Sequence, residues 1–192
     1  MNRYLEYFLS RFHTLLLSFN GAIDLGSGSL IFYKSKIVNK SLSGGVKIGS
    51  QCRIGTSSLG YHAGMPFYTS ILNDRVKSRV EIGNNCRING AYIHAEKSIV
   101  IGDNCVIAAG VSMIDSNGHE INSANRTVGR DKPSSITLGN NVWIGLNAII
   151  LKDTTIGENS IVAAGSVVKG HFPANSLLQG NPAKKVKELN IK

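Results

Sequence analysis

The sequence predicts an all-β chain: short strands coiled turn upon turn, preceded by one amphipathic helix and followed by a basic tail. Three observations predict it. Aliphatic residues recur at every sixth position over long stretches. Twenty-one glycines against four prolines supply many tight turns without low complexity. A helical period is confined to the first twenty residues. The 192 residues suffice for one domain with a real core. A composition of 42% hydrophobic and 17% charged residues excludes a disordered chain. No apolar run approaches the ~18 residues of a membrane-spanning helix.

The N-terminal segment, 1–22, carries Leu5, Phe8, Leu9, Phe12, Leu15, Leu16 and Phe19 at steps of three and four. Such spacing draws one apolar stripe along a helix. Arg3, Glu6, Arg11 and His13 interrupt any apolar core of the signal-peptide kind, so the expected compartment is the cytoplasm. The stripe suits packing on its own domain or on a neighbouring subunit. Peripheral contact of residues 1–20 with a membrane surface is the other reading.

The coil is expected over 23–176. VKIGSQCRIGTS (46–57), VEIGNNCRINGA (80–91), IVIGDNCVIAAG (100–111), ITLGNNVWIGLN (136–147) and TTIGENSIVAAG (154–165) align on one pattern. Leu138, Ile144, Ile150, Ile156, Val162 and Val168 then follow one another at intervals of six without a break. Six is neither the helical period nor a simple strand alternation. A short strand turning one aliphatic inward, then a corner at Gly or a small polar residue, satisfies it. Three hexapeptides close a triangular turn of about 18 residues, and turns stack as parallel strands ~4.8 Å apart. The repeats cover roughly 85 residues, between four and five turns. Cys52, Cys86 and Cys105 occupy one slot of the repeat, filled by Val142 and Ser160 elsewhere. They read as structural thiols in a small half-buried position, not as a disulfide framework or zinc site. Residues 58–79 and 112–135 have no hexad and are expected to be loops carried on the array, where chemistry tends to sit. Residues 177–192 form the basic tail.

The net charge of +9 points to an anionic partner. No recognition helix, zinc finger or RNP sequence is present, so nucleic acid is not the expected one. Five histidines stand at 13, 62, 94, 119 and 171. A neutral imidazole is the side chain suited to removing a proton from a poorly acidic hydroxyl near neutral pH. From the residues alone, His119 is either such a base or an ordinary loop histidine.

The hexads, and above all VWIGLNAIILKDTTIGENSIVAAGSVVKGHFPANSLLQGNPAKKVKEL, resemble the hexapeptide-repeat acyltransferases. Within them the sequence is similar to the maltose/galactoside/Nod-factor acetyltransferase group and to capsule, exopolysaccharide and O-antigen O-acetyltransferases. The resemblance runs from about Lys47 to Lys187. It implies a left-handed parallel β-helix, acetyl-CoA as co-substrate and no metal. It also implies a homotrimer with each active site between two subunits, and a saccharide as acceptor. By the same resemblance His119, in IDSNGHEIN, is the general base, with Asp115 a few residues before it. Asp115, Glu120 or a backbone carbonyl could orient the imidazole. Asn89 matches a position facing the acceptor, though Asn also suits a plain corner of the repeat. His94 and Tyr61 border the expected acceptor cleft, with loop packing as the alternative for Tyr61. Trp143, Gly145, Leu146 and Ala164 match positions along the pantetheine arm. Lys169, Lys184 and Lys187 match those nearest the phosphates or adenine. The family often has Arg at the last two, and Lys keeps the charge but not the bidentate fork.

Rival readings are an N-acetyltransferase acting on an amino sugar or sugar nucleotide, an antibiotic-modifying acetyltransferase, and a non-catalytic scaffold. A γ-class carbonic anhydrase needs a second zinc histidine five residues after the first, where this chain has Ala124. Serine acetyltransferases carry a large helical N-terminal domain that this sequence lacks.

Overall fold

The computed structural model describes residues 3–19, 21, 23–41, 45–57 and 61–191. Residues 1, 2, 20 and 22 of the N-terminal segment, 58–60 of the first expected loop and 192 of the tail lie outside the described residues, as do 42–44.

Helix α1 (Arg3–Phe19) precedes the coil. The first turn comprises β1 (Asp24–Leu25), β2 (Leu30–Ile31) and β3 (Lys36–Asn39). The second comprises β4 (Gly45–Ile48), β5 (Arg53–Ile54) and β6 (Ser70–Asn73). The third and fourth are β7 (Arg79–Ile82), β8 (Arg87–Ile88) and β9 (Tyr92–Ala95), then β10 (Ser98–Ile101), β11 (Val106–Ile107) and β12 (Ser112–Ile114). The fifth has β13 (Ile136–Leu138), β14 (Trp143–Ile144) and the start of β15 (Ile149–Ile156). The rest of β15, β16 (Ile161–Val162) and the start of β17 (Val167–Phe172) make the sixth. The end of β17 and β18 (Ser176–Gly180) begin a seventh, and β19 (Ala183–Glu188) folds back antiparallel on β18.

Each strand except β19 pairs in parallel with its counterpart one turn away, which makes a parallel β-helix with three faces. The inward aliphatics stack as ladders. On the second face Ile31, Ile54, Ile88, Ile107, Ile144, Val162 and Leu178 are in register. All seven are fully buried. Burial of one such side chain contributes about 1.5–3 kcal/mol before entropy is set against it, so these ladders are the core.

The corners explain the rest of the hexad. Asn85, Asn104, Asn141 and Asn159 hold positive φ, a conformation Asn tolerates better than most residues. Their amides stack between turns: Asn85 Nδ2 donates to Asn104 Oδ1 at 2.9 Å, and Asn141 Nδ2 to Asn159 Oδ1 at 3.0 Å. At Gly139 a Cβ would lie 2.6 Å from the backbone nitrogen of Glu158. The turns approach too closely there for any side chain.

The thiols form a ladder. Cys52 Sγ donates to Gly83 O at 3.0 Å, Cys86 Sγ to Gly102 O at 3.1 Å and Cys105 Sγ to Gly139 O at 3.2 Å. Ser29 occupies the same slot one turn earlier, its hydroxyl donating to Gly49 O at 2.6 Å. All three cysteines are free and buried.

The structure extends or alters several sequence expectations. One turn of the coil lies ahead of the hexads aligned from 46, inside the expected range 23–176: Leu25, Ile31 and Ile37, at steps of six, align with Ile48, Ile54 and Ile71. The stretch 58–79 is not all loop, because Ser70–Asn73 is strand β6, paired with β3 and β9. The basic tail supplies most of β18 and all of β19.

The helix meets the coil mainly through polar side chains, with Leu17 packed against the core beside them. Strand β2 is the edge of its sheet, so its outward N–H groups lack a neighbouring strand. Thr14 Oγ1 accepts from Ile31 N at 2.9 Å, Ser10 Oγ accepts from Tyr33 N at 3.2 Å, and His13 Nε2 meets Ser35 O at 3.1 Å. Ser10 and Thr14 are buried, and the apolar stripe faces outward.

Candidate active site

Two excursions leave the coil at different corners. The first runs between β5 and β6, at the corner joining the second face to the third. The second, 115–135, runs between β12 and β13, where the third face gives way to the first.

The second excursion carries His119 and is anchored at both ends. Asp115 is fully buried. Its Oδ1 accepts from Glu96 N at 2.7 Å, and its Oδ2 accepts from Lys97 N and Ser98 N at 2.8 Å each. Burial pushes this carboxyl above the ordinary range, against the three amide donors. At the far end buried Asp131 accepts from Asn117 N at 2.9 Å and pairs with Lys152. The Lys152 ammonium and the Asn117 amide hold its carboxyl below the ordinary range. Arg126 Nη1 donates to Glu120 O at 2.9 Å and also to Ile121 O. Between these ties His119 is exposed, and among the described residues no group hydrogen-bonds its ring. Asp115 spends both oxygens on the turn below and does not touch the imidazole. Its place is the root of the loop.

A charged cluster lies at the same corner. Asp74 pairs with Lys40 at 2.6 Å and with His94 Nε2 at 3.4 Å. Arg75 pairs with Glu96, and Arg130 Nη1 lies 3.7 Å from both Asp74 and Glu96. The Lys40 ammonium is the main cause holding the Asp74 carboxyl below its ordinary value. Asp74, His94 and Glu96 have metal-ligand atoms within 4.8 Å of one another. Three cations already balance the two carboxylates, so the cluster reads as an ion network that fixes the loop base. Sequence reasoning passed over Asp74, Arg75, Arg130, Asp131 and Lys152, because their partners are distant in the chain and share no motif.

The other expected residues fall into two groups. Asn89 and Tyr61 line one cleft of about 500 Å³, with α1 as one wall through Glu6, Tyr7 and Ser10 and with Arg53 and Arg87 in it. His94 is not part of that cleft, because it stands on β9 facing Asp74. Leu146 lines a depression of about 350 Å³ with Met65 and Pro66 of the first excursion. Trp143 is 51% exposed and lies in register with Ile161, then Leu177, then Lys187, on one outward ladder of the second face. Gly145 and Leu146 form the corner of the fifth turn and Ala164 that of the sixth, joined by the Gly165 N to Leu146 O bond at 2.8 Å. Lys184 is opposite Gln179 on β19. Lys169, by contrast, is on β17, round the corner from this ladder.

The comparisons agree with this architecture. Residues 135–170 match the family described as bacterial transferase hexapeptide (six repeats), and 79–113 match the hexapeptide repeat of succinyl-transferase. These segments are hexapeptide repeats of the transferase type, and the resemblance drawn from the sequence is borne out. The chain is 38% identical over 95 residues to the galactoside O-acetyltransferase of Escherichia coli K12, a match covering 50% of this chain and 46% of that protein. It thus spans about half the length of that curated relative. Among solved structures, a galactoside acetyltransferase in complex with coenzyme A superposes with a TM-score of 0.54 at 32% identity, over 62% of this chain and 64% of that one. AntD, an N-acyltransferase from Bacillus cereus, shares the fold over 92% of this chain and 88% of its own, with a TM-score of 0.68 at 19% identity.

Proposed function

We propose that the chain transfers an acetyl group from acetyl-CoA to a saccharide hydroxyl, with surface-polysaccharide precursors of the capsule, O-antigen or exopolysaccharide kind as the acceptor class. The 38% identity to a galactoside O-acetyltransferase carries this reading. His119 takes the hydroxyl proton as the oxygen attacks the thioester carbonyl. Backbone amides stabilise the tetrahedral oxyanion, and its collapse expels CoA thiolate, which the imidazolium protonates. The ladder from Trp143 to Lys187 suits a thin pantetheine arm ending in anionic phosphates. Gly145, Leu146 and Ala164 keep the corner shallow beside it, and Lys184 adds charge at the far end. Lys169 stands on the next face, on β17.

The corners support a shared site. The His119 excursion leaves from the end of β12, whereas Gly145 and Leu146 stand before the start of β15, at the opposite edge of the third face. One chain holds base and cofactor corner apart. Side-by-side packing of left-handed coils in a homotrimer brings one chain's His119 to its neighbour's Trp143. Asn89 and Tyr61 then serve the acceptor, His94 positions the loop through Asp74 and Arg130, and Asp115 is structural.

Calorimetry with acetyl-CoA tests the cofactor first, because no acceptor need be known. Saturable binding near one site per chain is expected. His119→Ala should keep that binding and lose about 10²–10⁴-fold in transfer to a saccharide. Absence of binding up to several millimolar overturns the transferase reading. Transfer to amino but not hydroxyl acceptors replaces it with N-acetylation.

A further inference from the structure

We infer that α1 lies flat in the surface of an anionic lipid bilayer, with the coil standing off the membrane. An amphipathic helix on a soluble domain normally turns its apolar stripe toward the core. Here it is reversed. Ser10, His13 and Thr14 face the coil and are used up on Ile31, Tyr33 and Ser35. Leu5, Phe8, Phe12, Leu15, Leu16 and Phe19 face outward, with Phe19 93% exposed. The helix cannot simply roll over, because that would strip the edge strand of its partners. An exposed apolar stripe of this length is far more than the scattered hydrophobics any surface carries.

The occupant follows from charge and shape. Seventeen residues span only about 25 Å, and α1 is not long and apolar enough to cross a membrane. Bulky aromatics on one side and a polar opposite side suit a helix in the interface plane. The nearby exposed charges are mainly basic. Arg11 is on α1, and Lys34 and Lys36 flank Ser35, which His13 touches. The one acid on α1, Glu6, is turned into the cleft, where it accepts from Ser57 Oγ at 3.2 Å. Asp24 is the exposed acid beyond the helix. The chain as a whole carries +9. A second copy fits less well. In a rotational assembly of coils each contact joins unlike surfaces, and the other exposed large hydrophobics among the described residues, such as Val38, Phe67 and Val106, belong to separate elements. The inference holds whether or not the chain transfers acetyl groups.

Co-sedimentation of the full chain with vesicles tests it, using phosphatidylcholine with and without phosphatidylglycerol. The chain should pellet with the anionic vesicles, less so with pure phosphatidylcholine, and less as salt screens the basic residues. The double variant Phe8→Glu/Phe12→Glu changes only exposed side chains. It should keep its melting temperature and lose about tenfold or more in vesicle partitioning. Wild-type protein left in the supernatant, or a variant that binds as well, overturns the inference. So does a variant whose mass by light scattering falls while wild type ignores vesicles, which would assign the stripe to a second copy.

Discussion

Thr14 and Ile31 form the hinge-pin between helix and coil: the threonine hydroxyl oxygen accepts the backbone N–H of an edge strand at 2.9 Å while its own proton goes to Ser10 O at 2.6 Å. One side chain thereby does the work of a missing strand. The same bond explains why α1 faces the coil with polar residues.

Thr14→Val keeps the volume and removes the acceptor. Ile31 N–H is then buried without a partner, a loss of about 1–3 kcal/mol. Thermal denaturation should show the drop. An unchanged melting temperature would mean that the helix contributes nothing to the edge.

Asp115 separates a structural from a chemical role. Asp115→Ala abandons three amide donors at once and should destabilise by about 3 kcal/mol or more. Asp115→Asn retains one good acceptor and should fall between. A catalytic orienting role predicts the opposite pattern, an undisturbed melting temperature with lost turnover, so measuring both quantities decides the matter.

Loop closure should depend on acid. The Asp131 carboxyl ordinarily titrates near 3.8 and lies lower in the folded chain, held by Lys152. A depressed carboxyl contributes stability that is fully present above the unfolded value and is lost as pH falls through the folded one. Protection of the Asn117 amide, measured as its exchange rate relative to the intrinsic rate at each pH, should therefore be full at pH 5 and above and should fall as pH drops below about 4. Lys152→Met should raise the pH at which that loss of protection begins.

The thiol ladder should be chemically silent. The neighbouring Cys105 thiol is the main cause pushing the Cys86 thiol up, to about 11, and the Cys86 thiol plus burial pushes Cys52 higher still. Cys105 is held lower by the Cys86 thiol beside it, yet it is sealed inside the same column. Since the thiolate is the reactive form, an aromatic disulfide reagent should label none of the three cysteines in the native chain and all three in denaturant. Rapid native labelling would mean the column opens.

Much of this was legible in the sequence because a stacked coil writes its contacts locally. The aliphatic, the glycine and the corner asparagine recur at fixed offsets, so the turns from Val46 onward and the cysteine slot could be read directly. The first turn is written in Leu25, Ile31 and Ile37, inside the range expected for the coil, although these three hexads stand apart from the aligned blocks. Strand β6 was hidden behind an insertion that broke the count. What periodicity cannot report is which side of a helix meets its neighbour. The stripe on α1 was visible, but its outward direction is set by two amides of an edge strand. The loop anchors were illegible for a similar reason: Asp74, Glu96, Arg130 and Lys152 are brought together by stacking, not by any spacing along the chain.

A repeat whose top and bottom are complementary is, chemically, a monomer for a linear polymer. Each exposed end would accept another turn from another molecule. On the second face the reversed strand β19 lies at one end and the polar side of α1 at the other, and neither offers the parallel register that a newcomer would need. They act as chain terminators. On the second face the stack is thus closed by two unlike caps, and the hexapeptide itself sets no limit.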